Sequence, residues 1–147
     1  MSATLPFAAA AAPARRADRA TITGRVISAL MVALLALDGT MKLVATDMMI
    51  ANSPAGILPP EPALYQALGV VLLVSTLLYA LPRTAVLGAV LLTGYLGGAV
   101  AIHVRMADPL FSQTLVGAYL GIAMWAGLWL RDPRVRALLP LRAGAER

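Results

Sequence analysis

The sequence predicts an all-α integral membrane protein, a four-helix bundle running up-down-up-down with both termini in the cytoplasm. Three observations carry this reading. Of 147 residues, 60% are hydrophobic and 13% charged, with a mean hydropathy of +0.80, whereas a soluble domain carries about 25% charged residues. Four apolar segments, approximately 26–46, 63–81, 84–104 and 110–130, each come near the ~20 residues that cross ~30 Å of hydrocarbon. The basic residues flank one set of span ends: Arg15, Arg16, Arg19 and Arg25, then Arg83, then Arg131, Arg134, Arg136, Arg142 and Arg147. Lys42 and Arg105 alone fall toward the other side, and the side richer in Lys and Arg faces the cytoplasm.

Each element follows from local chemistry. Residues 1–24 hold "LPFAAAAAPARRADRA", an Ala-rich run with its arginines after the apolar stretch. That order is the reverse of a secretory signal, and a disordered basic tail is expected. The membrane domain runs from 25 to 131. Its first span leads into a long link, 47–62, with four prolines, the last of which suits the first turn of the second span. "LPRT" (81–84) is the tightest link, where Pro82 ends one helix and Thr84 is placed to cap the next. "MADPLFSQ" (106–113) is a short turn built on Asp108 and Pro109. Tyr79, Trp125 and Trp129 fall at the cytoplasmic ends of their spans as an aromatic belt. Residues 132–147 form a basic cytoplasmic tail able to lie on anionic lipid.

Composition excludes several chemistries. The chain has no cysteine and one histidine, His103, so thiol relays, Fe–S ligation, bis-histidine haem and multi-histidine metal sites have no ligands within one copy. Electron transfer would need a borrowed cofactor. The +5 charge sits beside apolar runs and not in an aromatic-interleaved patch, which argues against nucleic acid. No catalytic residue and no metal ligand is assigned.

The chemistry concentrates in "LALDGTMKLV" (35–44), where Asp38 and Lys42 lie one turn apart inside the first span. Each charge near a helix centre costs about 2.5–3.5 kcal/mol, while each Leu, Ile or Val returns roughly 0.3–0.6. The nine Leu, Ile and Val residues of 26–46 barely offset Asp38 alone. One reading is an intrahelical i,i+4 pair with Lys42 snorkelling outward; another is a polar pocket for a lipophilic headgroup; a third is proton transport through Asp38. Stepping 1.5 Å per residue puts Asp38 roughly 20 Å from the cytoplasmic edge, Tyr95 and Tyr119 at about 16–17 Å, and Lys42, Gln66 and Gln113 near roughly 25 Å. Polar groups from four helices thus share one depth. The site expected from that coincidence is a pocket in the outer half lined by Asp38, Lys42, Gln66, Tyr95 and Gln113. A quinone is its favoured occupant, its carbonyls accepting from Lys42 or Tyr95. In the inner half, Ser28, Ser75 and Thr76 are expected to bond their own helix backbones.

Gly94, Gly98 and Ala101 fall within about 60° on the third span, a small-residue seam suited to close helix packing within or between chains. Gly117 and Gly121 form another on the fourth. Arg105 continues the first seam, with lipid phosphate, Asp108 or Asp38 as its expected contacts. His103 points about 180° from Gly94 and is expected at the membrane interface.

"DGTMKL" (38–43), "LPRTAVLGAVLLTGYLGGAVAIHVR" (81–105), "DPLF" (108–111) and "WAGLWLRDPRVRALLP" (125–140) resemble the DoxX-like family of small four-helix membrane proteins, and the resemblance spans Arg25 to Pro140. It implies the bundle fold and a place in the bacterial inner membrane. Relatives include a small subunit associated with quinone-linked sulfur oxidation. Two function classes follow: a non-enzymatic accessory or scaffold component of a membrane complex, and a quinone-binding subunit of a redox system. The expected partners are the lipid bilayer, a soluble or membrane redox protein, and a second copy of the chain. A small-solute transporter fits less well, because paired broken helices are missing.

Overall fold

The computed structural model describes residues 19–53, 56 and 58–138. The expected disordered tail lies, through Asp18, outside the described residues, as do 139–147 at the other terminus. Among the described residues, seven helical elements follow one another: α1 (Arg19–Val44), α2 (Thr46–Asn52), α3 (Pro62–Ala80), α4 (Ala85–Arg105), a π-helical turn (Leu110–Thr114), α5 (Val116–Arg131) and α6 (Pro133–Leu138). Arg19–Val44, Pro62–Ala80, Ala85–Arg105 and Leu110–Arg131 are long and apolar enough to cross a membrane. The protein is an integral membrane helix bundle.

Proline sets several of the boundaries, because the residue before it is pushed out of the helical region. Glu61, Leu81 and Asp132 are all extended, and each stands before a proline. Pro62 occupies the first turn of α3, where its missing N–H costs nothing. Thr84 does not cap α4 as expected; its hydroxyl donates to the Leu78 carbonyl at 2.8 Å and ties the link back onto α3.

Three segments carry more structure than the sequence reading gives them, the first being Arg19–Gly24, expected as part of the disordered tail but forming the opening turns of α1. Part of the 47–62 link is α2, whose first turn holds Asp47, a favourable charge for a helix N-terminus. The side chains of Asn52 and Ser53 close its other end on the Met48 and Met49 carbonyls, both at 2.8 Å. At the C-terminus, α6 brings Val135 into the core at 2% exposure, so the start of the basic tail is folded against the bundle.

The spans form a ring in which α1 touches α3 and α5, and α4 touches the same two from the other side. Lipid tails are as apolar as leucine, so close fit between helices, not water exclusion, holds such a ring together. Each neighbouring pair approaches at a glycine. A Cβ on Gly24 of α1 would stand 2.6 Å from the Arg131 nitrogen, one on Gly69 of α3 2.9 Å from the Gly39 oxygen of α1, and one on Gly117 of α5 2.8 Å from the Leu96 oxygen of α4. On Gly88 of α4 it would overlap the backbone of Tyr79 at the end of α3. The inward residues recur with heptad spacing: Tyr65, Gly69, Leu72, Thr76 and Tyr79 on α3, and Ala85, Ala89, Leu92 and Leu96 on α4.

The expected seam at Gly94 and Gly98 is not where α4 packs. Nothing lies within 4 Å of a Cβ built on Gly94, Gly97, Gly98 or Gly121. These residues sit off the Ala85–Leu96 stripe that meets α3 and α5, and they face outward.

With α1 beginning beside the end of α5, the described ends of the chain share one end of the bundle with the α3–α4 link, here termed the terminal end. Single cysteines at Ser53 and Arg83 report its orientation cleanly in a chain without cysteine. The expected result in intact cells is labelling of Ser53→Cys by an impermeant thiol reagent and protection of Arg83→Cys; the reverse pattern inverts the topology.

Candidate functional site

Ser28, Leu35 and Lys42 are seven residues apart on α1, so Lys42 continues the stripe that faces α3. Its stem passes Gly69, where a Cβ would stand 3.0 Å from the Lys42 Cβ. The ammonium reaches back one turn and donates to both Asp38 carboxylate oxygens at 2.6 Å. The Lys42 side chain is 14% exposed and that of Asp38 41%. Direct contact between opposite charges offsets part of the cost of taking them out of water, which is how this helix accommodates both within one span. Thr46 adds a hydroxyl bond to the Lys42 carbonyl at 2.8 Å, just past the end of α1.

Of the other three expected site residues, Tyr95 alone turns partly inward. It is half-buried on α4. Gln66 on α3 and Gln113 in the π-helical turn are exposed. At the Gln66 level the inward residue is its neighbour Tyr65, at 3% exposure. The heptad pattern that Tyr65 shares with Gly69, Leu72, Thr76 and Tyr79 was the available signal for it. Equal depth along the bundle normal therefore does not bring all five side chains to one point.

A second polar group sits toward the terminal end. Tyr79 is fully buried, in place of the interfacial position expected for it. Its hydroxyl lies 2.9 Å from the Ser28 hydroxyl and donates to the Met124 carbonyl at 2.9 Å, linking α1, α3 and α5. Arg131 stacks over its ring, 4.8 Å from the centroid, and donates to the Tyr79 carbonyl at 2.8 Å. Ser75 bonds its own helix at the Val71 carbonyl, 2.7 Å away, as expected, but Ser28 is drawn to Tyr79, and among the described residues the buried Thr76 hydroxyl has no partner.

The opposite end is strapped by polar contacts. His103 Nδ1 lies 2.6 Å from the Asp108 carboxylate, and Thr114 donates to the Asp108 carbonyl at 3.0 Å. Arg105 donates to the Gly56 carbonyl at 3.1 Å, joining the 47–62 link to the end of α4. The helix persists to Arg105, so His103 and Arg105 stay on different faces.

The outer surface carries a groove of about 940 Å³ between α4 and α5, lined by Leu96, Gly97, Gly117, Gly121, Trp125 and Trp129 among others. The Trp125 indole donates to the Thr93 hydroxyl at 2.9 Å across its floor. None of the five expected site residues lines it. Its walls are apolar, with Gly97, Gly117 and Gly121 among them, which suits another apolar surface and not a charged ligand. Among the described residues, no cluster of three His, Asp or Glu side chains is arranged to hold a metal ion.

A family model described as the DoxX-like family matches residues 26–127. No curated protein and no solved structure matches the chain.

Proposed function

The chain belongs to the DoxX-like family, and on that premise we propose that it serves as a non-enzymatic accessory or scaffold component of a membrane complex, seated in the bacterial inner membrane. The observation that carries this reading is the outward face of α4. Gly94, Gly97 and Gly98 have open space where side chains would stand, beside the 940 Å³ groove. In lipid, small residues that leave room for a backbone are the surface on which another transmembrane helix packs. The occupant in this reading is a membrane-spanning helix of a partner subunit.

Photo-crosslinking residues placed at Gly97 and Gly121 test it, with Val74, exposed on α3, as control. The expected result is one adduct of the same mass from both groove positions, absent from Val74, and lost on adding Gly94→Leu. Adducts of lipid alone would remove the scaffold reading, and an adduct of twice the chain mass would replace the partner by a second copy.

A quinone-binding subunit of a redox system is the second reading, supported by Tyr95. Among the described residues its hydroxyl has no hydrogen-bond partner, and it is half-buried on α4. Lys42, already engaged with both Asp38 oxygens, is the less available donor. Quinone extracted from purified wild type, and lost in Tyr95→Phe, would favour this reading over the first.

A further inference from the structure

At the terminal end, four arginines distant in sequence converge on one cleft of about 420 Å³: Arg25 from α1, Arg83 from the α3–α4 link, Arg131 from the last turn of α5 and Arg134 from α6. Asp132 is the one carboxylate among the lining residues, its Oδ1 accepting the Arg134 backbone N–H at 2.9 Å, so four guanidiniums face a single negative charge there. Among the described residues no carboxylate pairs with Arg25, Arg83 or Arg134. We propose that this cleft binds a phosphate group.

The positive-inside rule accounts for arginines at this end of the spans, but not for their convergence. Guanidiniums that only reach for solvent spread apart, because like charges around a low-dielectric cleft repel. Here the backbone brings them together. The missing side chain of Gly24 lets α1 close onto the Arg131 backbone, which sets Arg25 beside the end of α5. Leu81–Thr84 folds Arg83 over the same opening, and Pro133 turns the chain so that Arg134 returns to it. Arg131 is held in place by the Tyr79 ring and carbonyl, so one donor is preorganised before any ligand arrives.

A phosphate fits this arrangement better than a carboxylate. Its oxygens point in several directions and accept from several planar guanidinium forks at once. Ala85, the first residue of α4, also lines the cleft, and no side chain caps that N-terminus because the Thr84 hydroxyl is engaged with Leu78. The positive end of a 21-residue helix adds to the attraction. Arg25, Arg83 and Arg134 are exposed, which leaves the cleft open to a phospholipid headgroup at the bilayer surface and to a free phosphate alike.

The test uses the full chain purified in a nonionic detergent, with native mass spectrometry for lipid retention and thermal unfolding for response to phosphate. Phosphatidylglycerol is expected to bind about tenfold or more tighter than phosphatidylcholine. The exposed double change Arg83→Gln with Arg134→Gln is expected to remove that preference, whereas Arg136→Gln, outside the cleft lining, leaves it. Preference for phosphatidylglycerol without a response to inorganic phosphate identifies a lipid headgroup as the source. A rise in Tm with inorganic phosphate at constant ionic strength, absent in the double variant, identifies a free phosphate. The proposal is overturned if wild type shows neither response, or if Arg136→Gln weakens binding as much as the double change, since attraction to the terminal end as a whole would then suffice.

Discussion

Gly88→Ala is expected to destabilise the bundle by about 1–3 kcal/mol or more, the cost of forcing extra volume into a tightly packed interior. The added methyl would overlap the Tyr79 nitrogen and Cα and the Leu78 carbonyl carbon, all of them backbone atoms that no rotamer change can move. The two helices would have to separate where the Leu81–Thr84 link holds them closest. Tyr79 would shift with α3, loosening its bonds to Ser28 and to the Met124 carbonyl and its contact with Arg131. Unfolding in detergent, followed by circular dichroism, measures the loss. Gly94→Ala and Gly98→Ala are the matched controls: with nothing within 4 Å of either new methyl, both should unfold with wild type. Equal loss at Gly88 and Gly94 would refute the packing face assigned to α4.

The second large effect concerns Asp38 and Lys42. Asp38→Ala and Lys42→Ala are each expected to cost about 3–5 kcal/mol, because removing one partner leaves the other charged in a low-dielectric region. Asp38→Leu together with Lys42→Leu should be milder than either, since both desolvation costs disappear. Yield and unfolding of Asp38→Leu, Lys42→Leu and the double Leu variant complete a double-mutant cycle. Losses that simply add would show that the 2.6 Å contacts contribute nothing to stability, and the search for partners of the two charges would reopen.

Local relations in the chain were legible without tertiary structure. Asp38 and Lys42 pair because four residues is one helical turn, and Glu61, Leu81 and Asp132 are extended because proline follows each. Relations between helices were read less well. Gln66 and Gln113 share the depth of Lys42 yet face outward, since depth specifies height along the bundle and not direction around a helix. Tyr79 looked like an interfacial anchor by its position near a span end, but its rotation on α3 buries it between Ser28 and Met124. The four-arginine cleft is not legible in the sequence, because positions 25, 83, 131 and 134 meet only when α1, the tight link and the α5–α6 corner are folded together.

Length, hydropathy and near-neighbour spacing are enough to place four membrane spans in this chain and to set Asp38 and Lys42 one helical turn apart within the first of them. Which face of each span turns inward follows from helix packing: Tyr65 over Gln66, Gly88 over Gly94, Tyr79 into the core. In a water-soluble bundle, polarity would have marked those faces. In lipid, leucine is at home on both sides of a helix, so inward and outward are separated by steric fit at glycine approaches such as Gly24, Gly69, Gly88 and Gly117, a property of pairs of helices and not of any one segment.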